Sequence, residues 1–600
     1  MIQLTINGIP TQAEEGSTIL QAALGLGIKI PTLCFYKEIN EISACRICVV
    51  KVKGINKMIT ACSYKVFEGM EVETNTAEVR DARKTNLELL LSNHRMDCLS
   101  CTRSPNCELL DLSYEYGADQ HRFAQTPDLS PSDRTKPFNL PDTSTTHLVR
   151  DNSKCILCRR CVSICGAWQQ TGVIGVNGRG FEAHIGSPFD LPLNSTSCIN
   201  CSQCVSVCPT GALVQKDDTD KVWAALADPT KHVVVAPAPS IRAQLGEMFG
   251  LPIGTNVEAK IPTACRLMGF DKVFDVDTAA DMTIMEEGTE FLKRLQENGP
   301  FPMFTSCSPG WVKYLEYYYP DMLDSHLSSV KSPQGIYGSL MKTYYAEKQG
   351  IDPKDIYVVS LMPCTAKKFE ITRDGNATDY PDIDVVITTV EFSRMLKRSG
   401  IDFMNLEDSK FDPIFGIASG AGHIFGATGG VMEAALRTVA DFLTGEDLPK
   451  VDYTEVRGTK GIKEAEYTIA GKTIRIAVAS SPTKAKQLIE MVRSGEREYH
   501  FIEIMGCAGG CVGGGGQPPV YGHIRNEVNV PALRASVLYG IDKNSTYRKV
   551  HDNPVVKEIY ETYLGKPGSH KAEDILHIKP VHRSAYPPPT LKEYLEEGVK

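Results

Sequence analysis

Fifteen of the twenty cysteines precede residue 209, and their spacing constrains this chain more than any other feature. They run Cys34, Cys45, Cys48, Cys62, then Cys98, Cys101, Cys107, then Cys155, Cys158, Cys161, Cys165 and Cys198, Cys201, Cys204, Cys208. Four more, Cys307, Cys364, Cys507 and Cys511, fall in three short loops far downstream, and Cys265 stands alone. In a reducing compartment, thiols at C-x2-C spacing are metal ligands rather than disulfide partners, and disulfide scaffolds are short secreted chains. A length of 600 residues asks for several domains. The net charge of -9 and the lack of a polybasic block advertise neither nucleic acid nor an anionic membrane as partner. The opening MIQLTINGIP has no charged start followed by a long apolar run, and no long apolar stretch occurs later, so the chain reads as cytoplasmic.

The first segment, 1–77, opens with an alternating strand, a turn, a second strand near Thr11 to Ala13 and a helix around Thr18 to Leu26. The spacing Cys34-x10-Cys45-x2-Cys48-x13-Cys62 supplies the four thiolates that a 2Fe-2S cluster requires, with structural zinc as the competing reading. Its first gap departs from the plant-type pattern and resembles the 2Fe-2S domain of hydrogenase and complex I electron-input subunits. In segment 78–117, His94-x3-Cys98-x2-Cys101-x5-Cys107 follows the helix-like run ARKTNLELLLSNH. A histidine at a helix end is by itself more often a cap or surface group. The same pattern in those electron-input subunits binds a 4Fe-4S cluster through the imidazole, and the resemblance implies that role for His94.

Residues 118–147, rich in Pro, Ser, Thr and Asp, read as a linker. Segment 148–214 carries CILCRRCVSIC and CINCSQCVSVCP, a repeat in which three close cysteines bind one cubane and the fourth crosses to the other. Cys155, Cys158, Cys161 and Cys208 are expected to hold one cluster, and Cys198, Cys201, Cys204 and Cys165 its twin. From 215 to 588 the texture becomes apolar strands (HVVVAPAP, IYVVSLMP, DVVITT, IRIAVAS) alternating with helical stretches. The expected fold class is therefore an α/β domain of two lobes with a crevice, preceded by α+β ferredoxin-like iron–sulfur domains and followed by a tail, 589–600. Cysteine-bearing loops at strand ends converging on a crevice is how such folds build a site.

TSCSPGW, MPCTAKKFE and EIMGCAGGCVGGGGQP resemble the three signature loops of FeFe-hydrogenases, and the order of the accessory motifs resembles the clostridial monomeric, ferredoxin-linked type. That resemblance implies an H-cluster, a 4Fe-4S cubane joined through a thiolate to a diiron unit with carbon monoxide, cyanide and azadithiolate, fed by one 2Fe-2S and three 4Fe-4S clusters. It implies Cys364, Cys507 and Cys511 as cubane ligands, with Cys511 bridging. It implies Lys367 as a cyanide hydrogen-bond donor, Met362, Met505, Pro239 and Ser240 as pocket walls with Phe425 beside them, and Cys307, Glu287, Ser328, Glu290 and Arg294 as a proton relay. Without it, both methionines read as core filler and the Glu287/Glu290/Arg294 stripe as an exposed ion-pair face of one helix. The implied activity is ferredoxin-dependent, reversible reduction of protons to H2, with maturases supplying the diiron unit to a monomer.

The resemblance breaks at one important position. Where the family pattern T-S-C-C-P has its second cysteine as the fourth cubane ligand, this chain has Ser308. Either it ligates through oxygen or leaves that site weakly held, the favoured reading because Pro309 and Trp311 keep their register, or the loop shifts so that Cys307 ligates and proton transfer is impaired. Gly506 stands where alanine is common. The rivals to a hydrogenase are a non-catalytic electron-transfer subunit, a hydrogen sensor, and a bifurcating subunit that would need partners to bind NAD.

Overall fold

The computed structural model describes residues 1–123 and 137–583. The tail and residues 124–136 of the segment read as a linker lie outside the described residues. The chain folds into two compact units. One comprises Met1–Thr196, Gln203–Gln215 and Pro519–Val528, the other Ser197–Ser202, Lys216–Pro518 and residues from Asn529 onward.

The first unit begins with a five-stranded sheet in which Ile2–Ile6 pairs antiparallel with Ile9–Ala13 and parallel with Met70–Glu73. Met70–Glu73 alternates buried and exposed residues, as a strand with one solvated face must. The expected helix is Ile19–Gly25, held by a Thr18/Gln21 capping box. The run before His94 forms the helix Ala77–Ser92, capped by Thr76. Between the two ferredoxin half-repeats, Gly175–Asn177 and His184–Gly186 form a hairpin. Arg160 is buried in this unit, its two nitrogens donating to Glu108 at 2.8 and 3.1 Å and its other contacts to the Cys34, Phe35 and Val207 carbonyls. The segment Pro519–Val528 joins the unit through Arg525 to the Tyr36 hydroxyl and Tyr521 to Asp111.

The second unit holds two four-stranded sheets. One is wholly parallel: Lys272–Val273, His232–Pro237, Ile356–Met362, Val385–Thr388. Its inner strands, His232–Pro237 and Ile356–Met362, are each buried at all but one residue and the edge strand Val385–Thr388 at every one, as in a parallel sheet covered on both faces. The other sheet runs Met303–Phe304, Phe501–Met505, Lys472–Ser480, Ile462–Ile469, with the last pair antiparallel. Each sheet ends its strands in a cysteine-bearing loop: Cys364 follows Met362, Cys307 follows Phe304 and Cys507 follows Met505. Between them the 22-residue helix Val276–Glu297 is buried along most of its length and is closed by Asn298 in the left-handed conformation.

Candidate active site

The three downstream loops meet around one cavity of about 70 Å3, several times the space one water needs. Cys307, Ser308, Cys364, Lys367, Cys507 and Cys511 supply its polar lining. Pro239, Met362, Phe425 and Met505 are among its apolar walls, so most of the expected site residues are brought together. Ser240 is buried behind this lining and accepts a hydrogen bond from Gln517 Nε2 at 3.2 Å.

The glycine run exists because backbone passes too close to backbone for side chains. A Cβ on Gly514 would lie 2.3 Å from the Pro363 carbonyl oxygen, and Gly510, at φ +95°, would bring one within 2.6 Å of the Thr428 nitrogen. Ser308 precedes the helix Pro309–Tyr318, and its Oγ accepts the Gly506 N–H at 3.0 Å. A Cβ at position 506 would stand 3.1 Å from that oxygen, so glycine relieves the crowding there.

Burial pushes the Cys364 thiol up and the Cys511 thiol to about 12, the latter helped by the charge of Cys364. Thiolates in such a place need a cation to hold them, which an iron cluster supplies. Cys307 is raised well above the ordinary thiol value by burial and then by the charge of Glu287, so it carries its proton in this pocket.

Glu287 is fully buried on Val276–Glu297, and burial pushes its carboxyl up to about 7. Its Oε1 accepts the Ser306 N–H at 3.1 Å. The Ser306 hydroxyl lies 3.0 Å from the same oxygen and 2.6 Å from the Val330 carbonyl, and its single proton favours the shorter contact. Among the described residues, Glu287 Oε2 has no hydrogen-bond partner. Ser328 donates to Glu290 Oε2 at 2.9 Å, and Arg294 donates to Glu290 Oε1 at 2.6 Å. Glu290 and Arg294 line an open cleft, so this ladder of groups runs from the buried helix segment to the surface.

Lys367 donates to Ser332 Oγ at 2.7 Å, to both Glu370 oxygens at 2.9 and 3.1 Å, and to the Cys307 carbonyl at 3.3 Å. Glu370, Ser332 and Gln517 escaped sequence reasoning, because a single polar residue in a loop carries no spacing signal. Behind the wall, Arg242 on the turn Pro239–Ala243 bonds Asp275 at 2.9 Å and Asp277 at 3.0 Å and also reaches Glu258 and His423. Glu258, Asp275 and His423 lie close enough to hold a cation, but the guanidinium already supplies the positive charge among them.

In the first unit none of the front cysteines is joined in a disulfide. The Cys34 N–H points at Cys45 Sγ (3.3 Å), the Cys45 N–H at Cys34 Sγ (3.5 Å), and Cys48 and Cys62 Sγ lie 3.3 Å apart, all buried. A buried tetrad of this kind fits a cluster better than four isolated thiols. Burial lowers His94 to about 4, leaving a neutral imidazole whose Nδ1 is buried without a partner among the described residues, as a metal ligand's would be. A Cβ on Gly211 would meet Cys101 Sγ at 2.5 Å. Cys265 lies in the hydrophobic core of the second unit.

Residues 231–515 match the family described as iron only hydrogenase large subunit, C-terminal domain, and 529–582 match iron hydrogenase small subunit. Residues 1–77 match a 2Fe-2S iron-sulfur cluster binding domain, 83–122 an NADH-ubiquinone oxidoreductase-G iron-sulfur binding region, and 154–214 a 4Fe-4S dicluster domain. The small-subunit match was not anticipated from the sequence. Iron hydrogenase 1 of Clostridium pasteurianum is 46% identical over 96% of this chain and 100% of its own length. The NADP-reducing hydrogenase subunit HndD of Solidesulfovibrio fructosivorans is 45% identical over 96% of this chain and 98% of its own. Among solved structures, FeFe-hydrogenase HydA1 of Chlamydomonas reinhardtii superposes with a TM-score of 0.55 at 42% identity, covering 61% of this chain and 99% of that one. Among the described residues no helix is long and apolar enough to cross a membrane. With 2Fe-2S and 4Fe-4S domains ahead of a cysteine-lined cavity of the H-cluster type, the chain belongs to the FeFe-hydrogenase family and is an iron–sulfur hydrogenase.

Proposed function

We propose that this chain works in the cytoplasm as a monomer, exchanging electrons with ferredoxin or a similar small carrier and interconverting protons and H2 in both directions. The observation that carries this reading is the single cavity into which Cys307, Ser308, Cys364, Lys367, Cys507 and Cys511 all point from three distant loops. The domains are taken as 1–77, 78–117, 148–214 and 215–588, with one 2Fe-2S and three 4Fe-4S clusters held by the cysteine sets and His94. Cys364, Cys507 and Cys511 would hold the cubane of the H-cluster, and Ser308, whose Oγ accepts the Gly506 N–H, would offer an oxygen as the fourth donor. When bound, the H-cluster supplies redox-active iron and an amine base.

The chain's own residues do the rest. Pro239, Met362, Phe425 and Met505 keep bulk water from the cavity. Lys367, steadied by Glu370 and Ser332, presents an ammonium donor to an anionic ligand, and Ser240 is oriented by Gln517. Cys307 and Glu287 pass a proton between the cavity and Ser328, which relays it to Glu290 and Arg294 at the cleft.

The test is an anaerobic infrared spectrum of the chain co-produced with the maturases that build the diiron unit. Carbonyl and cyanide bands that respond to H2 are expected. Their absence, with iron still present in the accessory clusters, overturns the reading and leaves an electron carrier. The similarity to HndD favours a second arrangement, in which this chain is one subunit of an NADP-linked assembly. H2-driven reduction of ferredoxin but not NADP by the purified chain separates the two.

A further inference from the structure

Among the described residues, the buried ammonium of Lys313 forms no ion pair with a carboxylate. Lys313 lies on the helix that starts after Ser308 and is 7% exposed. Its Nζ sits 4.0 Å from the centre of the Phe369 ring and donates to Asn200 Oδ1 at 2.6 Å. Glu316, the nearby carboxylate on the same helix, is already held by Arg373 and by Arg583 at 2.9 Å. Burying an unpaired ammonium is costly unless an anion lies close by.

Asn200 stands between Cys198 and Cys201 in a left-handed conformation, φ +60°. The second unit grips this loop at several points: Lys313 holds the Asn200 side chain, and Thr365, next to Cys364, donates to its carbonyl at 3.0 Å. A Cβ on Gly515 would lie 2.3 Å from the Cys201 carbonyl oxygen. Burial pulls the lysine down to about 8, and Cys198, two residues before its partner Asn200, is the largest influence opposing it.

We propose that Lys313 is the built-in counter-cation of the 4Fe-4S cluster to which Cys198 and Cys201 contribute, raising its reduction potential and fastening its loop beside the catalytic loops. This rests on the cluster assignment above. A cluster gains one negative charge on reduction, so a fixed cation in a poorly screened site stabilises the reduced form more than the oxidised one. Lys313 is thus a positioning and tuning residue for the electron's passage toward the cavity and touches no substrate.

The test is a potentiometric titration, followed by electron paramagnetic resonance, of the full cluster-loaded chain and its K313M and K313R variants. In K313M one 4Fe-4S cluster is expected to titrate lower, its reduced-to-oxidised ratio at the parent midpoint falling about tenfold, equivalent to roughly 59 mV for one electron. K313R should restore most of the shift, and the other clusters should keep their parent midpoints as internal controls. Loss of that one signal in K313M but not in K313R would also support the proposal. Unchanged midpoints in K313M, or equal loss in both variants, would overturn it. A parent chain without 4Fe-4S signals would instead overturn the cluster assignment.

Discussion

Replacing Glu287 by glutamine should make the protein more stable at alkaline pH while slowing it as a catalyst. The carboxyl is fully buried, and burial raises it from 4.5 to about 7, with the charge of Glu290 adding to the effect and the Ser306 N–H opposing it. A raised carboxyl binds more protons in the folded than in the unfolded chain. Its contribution is therefore intact below about pH 4.5 and is lost as pH climbs through about 7. That interval is worth about 3 kcal/mol at ~1.36 kcal/mol per pH step. Glutamine is neutral throughout and still accepts from the Ser306 N–H, but its NH2 takes the place of Oε2, which has no partner among the described residues, at a cost of about 1 kcal/mol. The net expectation is that E287Q is somewhat less stable than the parent at pH 5 and about 2 kcal/mol more stable at pH 8.5. The assay is the thermal midpoint of both proteins from pH 5 to 8.5, read as the difference between the curves, beside H2 evolution. Curves that stay parallel across that range would refute the buried, proton-holding Glu287 on which the proposed relay depends.

Two further outcomes follow from the geometry. S328A removes the hydroxyl that donates to Glu290 at 2.9 Å, and H2 evolution at saturating carrier should fall on the order of 10²-fold with the cluster signals intact; a loss under about twofold would contradict the relay. In the first unit, R160M strands the buried Glu108 carboxylate and should cost about 3–5 kcal/mol, seen as earlier thermal bleaching of the iron–sulfur absorbance; a midpoint equal to the parent's would show the pair to be dispensable.

Much of the fold was legible because its signals are local. The strands His232–Pro237, Ile356–Met362 and Val385–Thr388 follow apolar runs, and the helix Ile19–Gly25 begins where Thr18 and Gln21 can cap each other. Glu287, Glu290 and Arg294 share a helix, as their three- and four-residue spacing requires, yet the spacing alone favoured an exposed stripe. The structure instead buries Glu287 completely, because Ser306 and Val330 cover its end of the helix. No periodicity marks Ser328, Ser332 or Gln517, whose partners Glu290, Lys367 and Ser240 lie 38, 35 and 277 residues away.

The sequence by itself determined which chemistry the chain can hold, because cluster ligands two or three residues apart are set by the covalent reach of one loop. It also marked the glycines of the last cysteine loop as a place where backbone must come close. Only the tertiary structure decided which charges face those ligands. Lys313 meets Asn200 across 113 residues, Lys367 is shared between Ser332 and Glu370, and the loop Ser197–Ser202 folds with the catalytic unit rather than with the cysteines around it. Such pairings depend on how whole sheets and helices pack to bury their apolar faces, and no local pattern encodes that packing.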